Sequence, residues 1–117
     1  MRPEAVAMAN VLLKHHRRVC QKPGATAPIL NSCLITYGKL CDEAGGPYLT
    51  HYPGPFLGET AQWCADNGWP PINALAVRAD SRMPGDGYDD AKGCSIINWP
   101  EQAEASIKFR GYPDSVS

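Results

Sequence analysis

The sequence lacks any apolar run approaching the eighteen or so residues that a membrane-spanning helix needs, so no membrane partner is expected. Its first stretch, "MRPEAVAMANVLLKHHRR", lacks a charged head, long apolar heart and small-residue cleavage site in that order, unlike a signal peptide. The five cysteines form no C-x-x-C pair and are odd in number, against a disulfide framework or a paired-cysteine metal site. The expectation is five reduced, mostly buried thiols (Cys20, Cys33, Cys41, Cys64 and Cys94) in a cytoplasmic protein. Internal repeats and low-complexity blocks are absent too. A formal net charge of −1 implies neither disorder nor a strongly polyanionic partner for the chain as a whole.

What is present fits one domain, residues 1–117, with room for one modest core. Charge is unevenly placed. Residues 1–41 carry six Lys/Arg against Glu4 alone, and residues 42–104 carry ten acids against Arg78, Arg82 and Lys92. Such asymmetry can steer a partner, and a solvated surface accounts for it equally well.

Pro3 suits a first helical position and Glu4 suits the positive helix end. Apolar residues then recur at helical spacing to about Cys20, predicting a basic N-terminal helix within residues 1–22. Pro23 and Gly24 break it. Leu34 to Tyr37 reads as a short strand, followed by a short helix with Leu40, Cys41 and Ala44 inward and Gly45–Gly46 as stop. "PYLTHYPGPF" reads as loop. "LGETAQWCADNG" is the next helix, with Leu57, Ala61 and Cys64 on one face. "INALAVR" and "CSIINW" read as two strands of a hairpin with an elongated tip. A last helix is expected over residues 100–111, with a loose tail after it.

This order predicts an α+β fold: a single winged helix-turn-helix domain, core residues 35–99, with an added N-terminal helix and a short C-terminal helix. "ITYGKLCDEAG" resembles the opening of the winged-helix DNA-binding domain of O6-alkylguanine DNA alkyltransferases and alkyltransferase-like proteins, and "PPINALAVRADSRMPGDGY" occupies the place of that family's "PCHRVV…G.(G)Y" segment. That resemblance implies DNA binding. It does not imply alkyl transfer, because Pro70, Pro71, Ile72 and Asn73 stand where the family's nucleophilic Cys and partner His would fall. The same stretch resembles small uncharacterised bacterial and phage proteins with a "PPLNALVV…G.PG.G" signature.

The second helix of the pair would enter a DNA major groove in a winged helix. Its charged residues are Glu59 and Asp66, with no Lys or Arg, so it would repel phosphates whose neutralisation normally supplies affinity. The expectation is therefore a non-enzymatic binding protein of the kind phage or mobile elements encode to inhibit a host protein, an analogy of class without a matching motif. The expected contact residues are Tyr48, Tyr52, Phe56, Glu59, Gln62, Trp63, Asp66, Trp69, Arg82 and Asp86, since aromatic residues dominate interface hot spots. The alternative is a regulator or lesion-recognition module that binds double-stranded DNA through Lys14, Arg17, Arg18, Arg78, Arg82 and Lys92. A minor third reading is a small enzyme using His51 with Cys41 or Cys64. Asp86, Asp89 and Asp90 lack calcium-loop spacing, and Cys33, Cys41, His51 and Cys64 lack zinc spacing, so no metal or cofactor is expected. A homodimer through an unpaired hairpin edge stays open.

Overall fold

The computed structural model describes residues 2–20, 33–45 and 54–116. Its first helix, α1, spans Pro3–His15 and buries Ala5, Met8, Ala9, Leu12 and Leu13, the stripe the helical spacing predicts. The chain continues through one turn of π geometry, His16–Cys20, which turns His16 and Cys20 inward. Ile35–Thr36 forms strand β1, and α2 follows at Tyr37–Ala44. Thr36 caps α2, its hydroxyl accepting the Lys39 amide N–H at 3.3 Å. Gly45 ends α2 at φ 132, where a side chain would be strained.

Helix α3 spans Gly54–Asp66 and buries Leu57, Thr60, Ala61 and Cys64. It begins earlier than expected, taking in Gly54, Pro55 and Phe56, because proline is tolerated in a first helical turn. The rest of that proline-rich segment, residues 46–53, lies outside the described residues. Gly68 adopts φ 73 and closes α3 with two reverse bonds: Gly68 N–H to Ala65 O (3.1 Å) and Trp69 N–H to Cys64 O (2.9 Å). This pattern folds the chain back so that the residue after the glycine packs on the last turn. Here Trp69 meets Trp63 edge-to-face, ring centroids 5.1 Å apart.

The expected hairpin is corrected. Residues 72–75 form a 3-10 turn, and only Ala76–Val77 is extended, as β2. β2 pairs in parallel with β1, Ile35 opposite Ala76 and Thr36 opposite Val77. "CSIINW" is no strand: Cys94 N–H bonds Ala91 O, Asn98 N–H bonds Ser95 O, and Trp99 N–H bonds Ile96 O, a succession of tight turns. The Ala74 carbonyl, which a hairpin partner would have taken, accepts the Trp99 indole N–H at 2.8 Å instead. Among the described residues the wing has no second strand. Between the turns lies a further 3-10 segment, Asp86–Asp90.

The last helix, α4, spans Trp99–Lys108 rather than residues 100–111, with Phe109 already extended. The tail is not loose. Tyr112 Oη donates to Pro70 O (2.5 Å), Arg17 donates to Asp114 O (2.5 Å), and Val116 N–H donates to Asn10 Oδ1 (2.6 Å). The architecture is α+β: four α-helices among the described residues and a two-stranded parallel sheet. α1 is the central element, packing against α2, α3 and the 72–75 turn. One continuous apolar cluster runs from Met8 and Leu12 through Ile35, Leu40, Leu57 and Leu75 to Trp99 and Ile107.

Candidate functional site

The exposed side of α3 and what borders it bring together most of the described contact residues. At its start, the Arg2 guanidinium lies over the Phe56 ring, 4.5 Å from the centroid, and pairs with the Glu59 carboxylate, to which the Arg2 backbone N–H also donates at 2.8 Å. That pairing holds the Glu59 carboxyl below its ordinary range, chiefly through the Arg2 backbone N–H. One turn on, Gln62 Nε2 donates to Asp66 Oδ1 at 2.7 Å, and Lys92 Nζ reaches the same oxygen at 3.3 Å. Both acids of α3 are thus paired with cations from elsewhere in the chain. The repulsion expected from Glu59 and Asp66 is largely cancelled.

At the C-terminal end of α3 the glycine stop has a consequence. Trp63 packs on Trp69, and Trp69 meets Tyr112 edge-to-face at 5.9 Å and Phe109 at 6.4 Å. Phe109 and Tyr112 are 4.6 Å apart, and Tyr112 also meets the His16 ring at 5.1 Å. Trp63, Trp69, Phe109 and Tyr112 are each half-buried, so the cluster is core on one side and surface on the other. Sequence reasoning missed Arg2, Phe109 and Tyr112. Two aromatics straddling the Arg110–Gly111 break just after a helix were the available signal for the last two.

The remaining expected residues are dispersed. Tyr48, Tyr52 and His51 lie outside the described residues. Arg82 sits in a tight loop closed by Arg78 N–H to Met83 O and Arg82 N–H to Arg78 O, both 2.9 Å, and adopts φ 57. Asp86 opens the 86–90 segment, which packs near α3. Of the cations proposed for DNA, Arg17 pairs with Asp114 (3.9 Å), Arg78 with Asp80 (3.0 Å) and Lys92 with Asp66 (3.3 Å). Lys14 and Arg18 are exposed, and Lys14 borders a shallow groove with Asn10, Val11 and Glu43.

His15 and His16 serve packing. His15 Nε2 donates to Cys33 O and His16 Nε2 to Ser106 O, both at 2.7 Å, and burial pushes both rings below their ordinary pKa. Cys41 and Cys64 are fully buried, and burial pushes the Cys64 thiol up to about 11, a poor setting for a nucleophile. Among the described residues no group of three or more His, Cys, Asp or Glu could hold a metal ion, and no helix is long and apolar enough to cross a membrane. The segments "ITYGKLCDEAG" and "PPINALAVRADSRMPGDGY" meet in space, through the β1–β2 pairing and through Gly85 N–H donating to Tyr37 Oη at 2.6 Å. No family model, curated protein or solved structure matches the chain.

Proposed function

We propose that this chain is a non-enzymatic binding protein that recognises another protein with the exposed side of α3 and the aromatic cluster at its end. The half-buried rings of Trp63, Trp69, Phe109 and Tyr112 support this most directly. They form a rigid, amphipathic patch of the residue types that carry interface energy, and they reach it without further loss of side-chain freedom. Gln62 and the neutralised pairs Arg2–Glu59 and Lys92–Asp66 border it as a polar rim. The biological class we favour is an inhibitor of a host protein.

Affinity capture from host extract tests it. A protein retained by the native chain and lost with Trp63→Ala, while Lys14→Ala and Arg18→Ala retain it, is the expected result. Equal retention by Trp63→Ala would remove the patch from consideration.

A helix-turn-helix reading, with α2 and α3 as the helix pair and double-stranded DNA as partner, is the second proposal. It is supported by the spatial meeting of the two segments that resemble the alkyltransferase-like domain. Against it stand the internal pairings of Arg17, Arg78 and Lys92, which would have to be exchanged for phosphates. A fluorescence-anisotropy titration against a mixed-sequence duplex at about 50 and 200 mM salt separates the two, since phosphate-driven binding collapses over that range. No binding at the lower salt is expected; micromolar binding that collapses at the higher would overturn the protein-partner reading.

A further inference from the structure

Trp63 and Trp69 differ from the third tryptophan in what their indole N–H groups meet. The Trp99 N–H is used inside the fold, on the Ala74 carbonyl at 2.8 Å. Among the described residues neither the Trp63 nor the Trp69 N–H has an acceptor, and neither is buried, so both donors reach solvent. The other polar ring atom of the cluster, Tyr112 Oη, is turned inward: it donates to Pro70 O at 2.5 Å and is bonded to Ser106 Oγ at 2.9 Å. The outer side of the cluster therefore offers ring surface and N–H donors, and no ring acceptor.

The rings also have a spacing. Along Trp63, Trp69 and Tyr112 the centroids are 5.1 and 5.9 Å apart, and adjoining planes stand at 87° and 90°. Perpendicular neighbours make a row of ledges instead of a flat plate. A polyproline II strand rises about 3.1 Å per residue, so two of its residues cover about 6 Å, close to one ring-to-ring step. Each proline brings an apolar ring and a carbonyl but no N–H, and the carbonyls of this helix have no internal partner. Ledges that carry N–H donors match such a ligand group for group. A helix or paired strand has its backbone groups bonded already and would leave the indole donors to side chains alone. Charge sets the flank. Arg110, exposed between Phe109 and Tyr112 in the chain, donates to the carbonyls of Cys20, Ile107 and Phe109, and among the described residues it has no carboxylate partner. An uncompensated cation at the edge of the rings favours an acidic neighbour on the ligand.

We propose that the Trp63–Trp69–Tyr112 face takes a proline-rich, acid-flanked segment of a partner protein in the polyproline II conformation, the two indole N–H groups donating to its carbonyls. This names the partner class for the face described under the proposed function and rests on that reading. The ligand arrives with its backbone already extended and loses little conformational freedom on docking, and the rings that receive it are fixed by their own packing.

The test titrates the isotope-labelled full chain with a blocked eight-proline peptide ending in two glutamates and follows the tryptophan indole N–H resonances. The Trp63 and Trp69 signals should move while the Trp99 signal, held by Ala74, stays in place. A Gly-Ser peptide of the same length and ending should move none of them. Equal movement with both peptides, or stationary Trp63 and Trp69 signals with the proline peptide, overturns the proposal. Trp69→Phe keeps a ring and loses the donor, and should weaken binding about fivefold, the equivalent of one lost hydrogen bond; unchanged affinity overturns the donor role. Exchanging the glutamates for lysines should weaken binding about threefold at low salt; no difference overturns the part of Arg110. Should Trp69→Phe fail to fold, the indole signals of the native chain still decide the site. If the proline peptide moves neither indole while capture from extract still depends on Trp63, the proline class alone falls; if capture is indifferent to Trp63 as well, the patch falls with it.

Discussion

Two half-exposed regions of this molecule are held together by different means. The aromatic end, where α3 and α4 stop, is fixed by rings interlocking around Trp69 and Tyr112. The long turn region of residues 78–98 buries Pro84 and Tyr88 and packs Cys94 and Ile96 against the core as separate side chains, not as stacked rings. It is pinned by single polar links: Gly85 to Tyr37, Ile96 N–H to the Asp89 carboxylate at 2.5 Å, and Gln102 to Gly93 O at 3.0 Å. Rings contribute by area removed from water and fail together, whereas polar links contribute about 1 kcal/mol each and fail one at a time. The first region should be rigid and the second locally adjustable, although both face solvent.

The largest test of that contrast is Tyr112→Ala. It removes ring contacts to His16, Trp69 and Phe109 together with the hydroxyl that bonds Pro70 O and Ser106 Oγ. A loss of about 3 kcal/mol is expected, in the range of large aromatic truncations, read as a urea midpoint shift. A loss below about 1 kcal/mol would mean that the cluster is a surface ornament and not a structural unit.

Acidification attacks the same region through His16, which sits buried against Tyr112 and Ser106. Its folded pKa lies below the ordinary 6.5 because burial disfavours the imidazolium. The unfolded chain therefore binds the proton first as pH falls. Stability is intact above about 6.5 and drops as pH goes from there down through the depressed folded pKa. His15 adds in the same direction. Thermal scans between pH 7.5 and 5 should show a falling midpoint in that window, with a shallower fall in His16→Gln; identical slopes would relieve His16 of the role.

Tyr37→Phe probes the turn region instead. It leaves the ring and removes the oxygen that accepts the Gly85 N–H. About 1 kcal/mol is expected, and hydrogen exchange should accelerate in residues 84–90 while α1 and α4 keep their protection. Uniform acceleration across the chain would show that the turn is not a separate unit.

The helices were legible where their boundaries are chemical: Pro3 opens one, and Gly45 and Gly68, which take backbone angles that favour glycine, end two others. The two supposed wing strands misled because a short apolar run between turn signals reads alike whether it is extended or merely buried. What decided them was remote. Among the described residues Ala76–Val77 pairs with Ile35–Thr36, and the Trp99 indole takes the Ala74 carbonyl. The site was legible by residue type and not by pairing. Trp63 and Trp69 stand out in the sequence, but no local pattern reveals Arg2 lying over Phe56 and Glu59, or Tyr112 returning to Pro70.

The smallest stability effect carries the sharpest functional distinction. The pairs Lys92–Asp66 and Arg78–Asp80 lie in or beside the turn region with every side chain more than half exposed, where ion pairs add little to stability. The double variant Asp66→Asn, Asp80→Asn should leave the urea midpoint unchanged while releasing Arg78 and Lys92 from their carboxylates. If internal pairing is all that keeps this surface from a duplex, the variant gains DNA affinity, and log K against log salt steepens by about 2, close to one unit per new phosphate contact. The protein-partner reading expects neither change, because the surface it uses is the ring cluster and not the cations. A steep new salt dependence would therefore identify α3 as a DNA-facing helix masked by its own ion pairs, and would shift the contrast between the two regions from rigidity to ligand.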